Sequence, residues 1–282
     1  MANFGRTRSK KAGVQMGTLM ITPIPHRRPF FDKLQTSTLK RRVRLARWLA
    51  NMRGRNGAPV ACRYFGADFI IMPGEVIGDE IAINRYEWWE LTMMLKACRQ
   101  CRADVFIDVG ANIGLYTCVL GRAGAARKLL AFEPDGKNFA RLLENLARNG
   151  LSGVTTARPV AVGAARGTAS LIPGTPENSG LPKLGDDGVV SVDVIALDEE
   201  LDIRTHMICI KIDVEGYELE VLAGAVNLFR SNGGYAQIEC HGDKHAVEIA
   251  EIMNSYGWQF IDRYELNLLF ARVIHQSIEK GR

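Results

Sequence analysis

Long apolar runs are absent from this 282-residue chain: nothing approaches 18 consecutive apolar residues, so no membrane-spanning helix is expected. The short run from Leu19 to Ile24 is too brief for the core of a secretory signal. Cysteine is scarce, with six residues at irregular spacing, which argues against a disulfide framework and for free thiols in a reducing, cytoplasmic compartment. One Cys-x-x-Cys occurs, Cys98 to Cys101, but no second pair stands at zinc-finger distance. Two thiols near the end of a helix compete there with zinc or redox chemistry. Acidic residues are nearly missing from one region only: residues 1 to 55 hold 14 Lys and Arg against Asp32 alone, while the whole chain nets +5.

That asymmetry divides the chain into a basic extension, 1–55, and a body, 56–282, which at 47% apolar content overall can bury a full core. Residues 1 to 30 show no apolar period and read as flexible, whereas Leu34, Leu39, Val43, Leu45, Trp48 and Leu49 describe a basic amphipathic helix over about 32–53. A solvated extension, a docking arm for an anionic partner (nucleic acid, membrane surface or polyanionic glycan) and an Arg-rich targeting peptide all fit this pattern.

The body is organised around Val105 to Thr117. Four β-favouring residues, interrupted by Asp108, run into Gly110, Asn112 and Gly114, and an apolar run from Leu115 to Leu120 follows; this is strand, tight turn, helix. The turn carries no Lys, unlike a phosphate cradle, and a carboxylate beside glycines suits a cationic or hydroxyl-rich nucleoside better than a pyrophosphate. A second strand, Lys128 to Phe132, ends at Glu133-Pro134, about 25 residues after Asp108, where nucleoside-binding folds place an acid against the ribose hydroxyls.

Further elements follow from period and punctuation. Ala61 to Met72 reads as a hairpin or a short strand with Pro73-Gly74 as its turn, Asn84 to Lys96 as a helix with Trp88 on its apolar side, Lys137 to Asn149 as another helix, and Val154 to Val162 as a third strand. Thr168 to Ile172 and Val189 to Ile195 pair as a hairpin across a long connection, 173–188, expected near the mouth of a site as a lid, a substrate contact or a solvated insertion. In His206 to Asp213 the isoleucines point one way and Lys211 and Asp213 the other; Gly216 to Phe229 reads as one helix. In Tyr235 to His241 the polar face holds Gln237, Glu239 and His241. Unpaired buried charge costs several kcal/mol, so Lys211, Asp213, Glu239 and His241 must meet one another or line a wet cleft. For each alone a helix cap or a satisfied loop residue is an ordinary alternative.

Three stretches resemble the FkbM family of S-adenosylmethionine-dependent methyltransferases: Phe-Ile-Asp-Val-Gly-Ala-Asn-Ile-Gly from 106, Ala-Phe-Glu-Pro-Asp from 131 and Lys-Ile-Asp-Val-Glu-Gly-Tyr-Glu over 211–218. Tyr86-Glu87 is similar to a Tyr-Glu that often precedes the glycine loop in that family. The resemblance covers roughly 80 to 270. It implies an α/β, doubly wound, mostly parallel seven-stranded sheet with an antiparallel C-terminal strand, S-adenosylmethionine as cofactor, and O-methylation of a saccharide, glycan precursor or natural product. Asp108, Gly110, Asn112, Gly114, Glu133 and Pro134 are then the cofactor-binding candidates. Asp213 or His241 is the candidate base, oriented by Glu239 and Lys211. A divalent ion held by Asp213, Glu215, Glu239 or His241 would serve the same end, although no tight ligand spacing demands one. The Asp-Pro-Pro-aromatic platform of amino methylases and the Pro-Cys pair of cytosine-carbon methylases are missing. An RNA ribose methyltransferase and a non-catalytic nucleoside-binding module are the rivals, with a nicotinamide oxidoreductase disfavoured by Asn112.

Overall fold

The computed structural model of the chain describes residues 59–72, 74–82, 86–174, 182–185 and 187–274. The basic extension and its expected helix lie outside the described residues. In chain order the body runs β1 (Val60–Tyr64), β2 (Ala67–Ile71), α1 (Val76–Ala82), α2 (Trp88–Cys101), β3 (Val105–Val109), α3 (Leu115–Arg122), β4 (Lys128–Phe132), α4 (Gly136–Arg148), β5 (Thr155–Arg158), β6 (Ala161–Val162), β7 (Gly167–Ile172), β8 (Lys183–Leu184), β9 (Val190–Ile195) and α5 (Leu197–Glu200). It continues through β10 (Met207–Ile212), α6 (Glu218–Ala223), α7 (Val226–Ser231), β11 (Gly233–Glu239), α8 (Asp243–Ser255), β12 (Gln259–Tyr264) and β13 (Asn267–Arg272).

Seven strands form the central sheet in the order β12-β13-β11-β10-β3-β4-β5. Only β13 runs against the rest, pairing antiparallel with both β11 and β12, which is the topology the resemblance implies. The inner strands β3, β4, β10 and β11 read as near-continuous apolar runs because both faces are covered. One face, with Phe106, Leu129, Cys209 and Tyr235, packs under the hairpin, α2, α3 and α4. The other, with Ile107, Leu130, Ile210 and Ala236, packs under α6, α7 and α8. Alternation therefore sends Asp108, Lys211 and Gln237 to the first face, and register places them side by side: Lys211 pairs with Asp108 on one flank and with Gln237 on the other.

Three boundaries differ from the sequence reading. The β1–β2 turn lies at Phe65-Gly66, both at positive φ (49° and 82°), not at Pro73-Gly74; two such residues suit a hairpin's twist, and Gly66 tolerates that backbone freely. The third strand breaks at Pro159, which has no N–H for the ladder: β5 stays in the central sheet, and β6 joins a four-stranded sheet of order β6-β9-β7-β8. The single helix expected over 216–229 is two, because Gly224 lies so close to the chain at 163 that a Cβ would stand 2.0 Å from the Gly163 carbonyl oxygen.

Side chains of α4 and of Asn149, which caps its carboxyl end, fix the hairpin to the body. Asn149 and Asn145 accept the backbone N–H groups of Asp68 and Ile70, both at 2.9 Å, and Asn145 donates to the Ile113 carbonyl at 2.8 Å. The same buried amide thus ties hairpin, helix and glycine turn together.

Candidate active site

The carboxyl ends of β3, β4, β10 and β11 open into a cavity of about 260 Å³. Its charged wall starts from the polar row on the first sheet face. Lys211, buried at the end of β10, donates to Asp213 at 2.7 Å and lies 4.8 Å from the centre of the Tyr116 ring. Tyr116 donates its phenolic hydrogen to Glu87 at 2.6 Å and accepts from Gln237 at 3.0 Å. The buried charges therefore meet one another, as the cost of isolating them requires. Burial opposes the Lys211 ammonium, but Asp213, Glu87 and Asp108 outweigh it and hold its pKa above the ordinary lysine range. Burial likewise opposes ionisation of Asp213, yet Lys211 and a hydrogen bond with Glu239 keep that carboxyl below its usual value. Glu239 carries the compensating proton: burial and then the adjacent Asp213 charge push it up to about 10. At neutral pH the two carboxyls share one proton and one negative charge.

The glycine turn forms the opposite wall. Gly110 sits at φ 79°, and a Cβ there would stand 1.8 Å from the Asp213 backbone carbonyl, so this glycine lets the turn after β3 close onto the turn after β10. Gly114, at φ 82°, is needed for packing: a Cβ would meet Leu142 at 2.4 Å. Glu133 accepts the backbone N–H of Asn112 and of Asp135, each at 2.8 Å, and burial raises its pKa to about 7. Glu87, Asn112 and Glu215 all line the cavity in the left-handed region, at φ 43°, 51° and 55°. Such backbone costs on the order of 1 kcal/mol or more per residue, and its clustering at one cavity marks a functional site.

Of the sequence candidates, Gly110, Asn112, Glu133, Pro134, Lys211, Asp213, Glu215 and Glu239 line the cavity. Gly114 and Asp108 do not. Asp108 is buried beneath the turn, where one carboxylate oxygen takes the Thr117 N–H at 3.1 Å and the Thr117 hydroxyl at 2.6 Å and so holds the start of α3. Its other oxygen is buried without a hydrogen-bond partner, and its charge acts on Lys211. His241 is half-exposed outside the wall, 3.5 Å from Glu215 and 3.8 Å from Glu239. Among the described residues no group of three or more His, Cys, Asp or Glu side chains is placed to hold a metal ion. Cys98 and Cys101 are buried at the end of α2, with Cys101 3.6 Å from Cys209.

The profile described as the methyltransferase FkbM domain matches residues 108–260. The chain belongs to this family of methyltransferases. It is 27% identical over 220 residues to the hexuronic acid methyltransferase AglP of Haloferax volcanii, across 77% of this chain and 88% of that protein. Among solved structures it is similar to the methyltransferase FkbM of Methylobacillus flagellatus at 18% identity and a TM-score of 0.48, covering 69% of this chain and 54% of the other, so the chain spans about half the length of that protein. A second similar structure, TYW2 of M. jannaschii in complex with AdoMet, gives 11% identity and a TM-score of 0.41 over 76% of this chain and 83% of that one.

S-adenosylmethionine is the methyl donor that membership implies, and the cavity suits it. Carboxylates gathered against Ile113, Leu115, Phe132 and Val162 offer negative charge for a cationic end and apolar surface for a purine. Sequence alone assigns no role to Glu87 or Tyr116. Tyr116 sits in an apolar helical run and counts there as core, and only the Tyr86-Glu87 similarity signalled the other.

Proposed function

We propose that this chain moves a methyl group from S-adenosylmethionine to a hydroxyl of a saccharide or glycan precursor. The observation that supports this most is the convergence of Lys211, Asp213 and Glu239 on the cavity that Glu133 and the glycine turn also line. The bound donor supplies an electrophilic methyl group, which leaves the chain to align the acceptor, exclude water and remove one proton. Asp213 is our base: it lines the cavity ionised, while Glu239 keeps its proton and His241 stands outside the wall. A carboxylate of low pKa takes the hydroxyl proton late, as the new C–O bond forms. Lys211 holds Asp213 in place, and Glu239, neutral, donates to it. Glu133 and the turn residues Asn112 and Pro134 would hold the nucleoside, with Asp108 as a positioning residue behind them. Glu87 would supply negative charge for the donor's cationic end. The similarity to a hexuronic acid methyltransferase supports a sugar as acceptor.

The test is Asp213→Ala with Glu239→Gln beside it. Turnover on a saccharide acceptor should fall by about 100-fold or more for Asp213→Ala, with S-adenosylhomocysteine affinity kept within a fewfold. Retained turnover would rule out Asp213 as base, and a chain that binds the nucleoside yet never turns over would leave a binding module. No divalent ion is required in this reading, and full activity in EDTA is the expected result. The free thiols support a cytoplasmic setting, and the 14 Lys and Arg of residues 1 to 55 support contact with an anionic partner.

A further inference from the structure

We propose that Lys183 reads a carboxylate on the acceptor, so that the saccharide this chain methylates is an acidic sugar; this rests on the saccharide reading above and refines it. Glu87 takes the Tyr116 hydroxyl, Glu133 takes two backbone N–H groups, and Asp213 takes the Lys211 ammonium. Glu239 is bonded to Asp213, and Glu215 faces His241. The one other charged side chain in the described wall is Lys183, exposed on β8, and no described carboxylate pairs with it. An amine left open in a wall whose other charges are engaged is where a ligand's negative charge is taken up.

Its position suits an acceptor contact. Strand β8 is anchored to β7 through the pairs Ile172 with Lys183 and Leu171 with Leu184, and Leu171, Pro182 and Leu184 line the cavity together with Lys183. Apolar surface next to one charge suits the face of a sugar ring bearing a single carboxylate. This small sheet is separate from the β3 and β4 turns that hold the nucleoside, and segments attached to a rigid scaffold in this way set acceptor choice while the scaffold keeps the chemistry. Elsewhere the wall repels an anion: Glu87 and Glu215 are both acidic. A carboxylate enters this cavity from two sources, the acceptor and the amino-acid end of the donor, and the experiment separates them.

Methyl transfer from labelled S-adenosylmethionine is measured on p-nitrophenyl glucuronide and on the neutral p-nitrophenyl glucoside for the full chain and for Lys183→Arg, Lys183→Ala and Lys183→Glu. Calorimetry with S-adenosylhomocysteine on the same proteins reports donor binding. The proposal expects kcat/KM for the glucuronide to exceed that for the glucoside by about 10-fold or more. Lys183→Glu should lower the glucuronide value by about 10- to 100-fold through KM, and Lys183→Arg should keep it within a fewfold. The glucoside value and the nucleoside Kd should stay unchanged in all three variants. Equal use of both sugars by the natural chain, equal loss on both in Lys183→Glu, or a weakened nucleoside Kd would each overturn it, the last by placing Lys183 against the donor. A chain that binds the nucleoside and methylates neither sugar would overturn the saccharide reading itself, an outcome distinct from methylation without charge preference.

Discussion

Glu133 does two jobs with one carboxylate: it fastens the glycine turn through Asn112 and Asp135, and it faces the cavity. Burial lifts its pKa to about 7, so the charge that would meet ribose hydroxyls and a cationic donor is lost as pH falls below neutrality. The Kd for S-adenosylhomocysteine should therefore rise by up to about tenfold per pH unit below 7, and Glu133→Gln should flatten that slope; a flat profile in the natural chain would remove Glu133 from the nucleoside site. Glu90 on α2 offers a matching test of stability. It is buried, and burial first, then the neighbouring Glu87 charge, raises it to about 7. The folded state holds this proton more tightly than the unfolded chain does. Its contribution is thus full below the usual carboxylate range and is lost as pH climbs through about 7. Glu90→Gln should raise unfolding free energy at pH 8 relative to pH 5 by on the order of 2 kcal/mol, read from urea midpoints at the two pH values.

At the scale of elements, the site depends on how closely the turns after β3 and β10 approach. Gly110→Ala forces a Cβ to 1.8 Å from the Asp213 carbonyl at a backbone angle that only glycine adopts freely. It should cost about 2–4 kcal/mol by denaturant unfolding and weaken nucleoside binding together with stability; a variant of natural stability and affinity would show that the two turns are not coupled. How far these elements could be read from the chain depends on what holds them. The strands around Asp108 and Lys211 were legible because apolar period and glycine punctuation are local signals, and their adjacency followed from the doubly wound pattern. That Asp108 stands near the carboxyl end of its strand was legible too, but not its depth: Thr117, nine residues on, takes its carboxylate and leaves the cavity to Glu87. Glu87 reaches the site only through a left-handed residue at the start of α2, and no periodicity announces that. The break at Gly224 was equally hidden, since its cause is a contact with Gly163 some sixty residues earlier.

Over the whole molecule, charge and chemistry occupy different parts of the chain. Among the described residues the cavity is built from Ile77 and from residues at and after Tyr86, while the excess of Lys and Arg lies in residues 1 to 55. Removing 1–55 should leave turnover on a small soluble saccharide within about twofold, and should abolish any salt-sensitive binding to anionic vesicles, since screening weakens such contacts. Binding that is equally strong without the extension, or insensitive to salt, would take the anionic partner away from this segment. We propose that the acidic cavity between β3, β4, β10 and β11 is the seat of a sulfur nucleoside. Calorimetric titration of the full chain with S-adenosylhomocysteine, beside Glu133→Ala, puts this to the test. One nucleoside should bind per chain with a Kd in the micromolar range, weakened at least about tenfold by the substitution; no heat at millimolar nucleoside, or an unchanged Kd in Glu133→Ala, would contradict it.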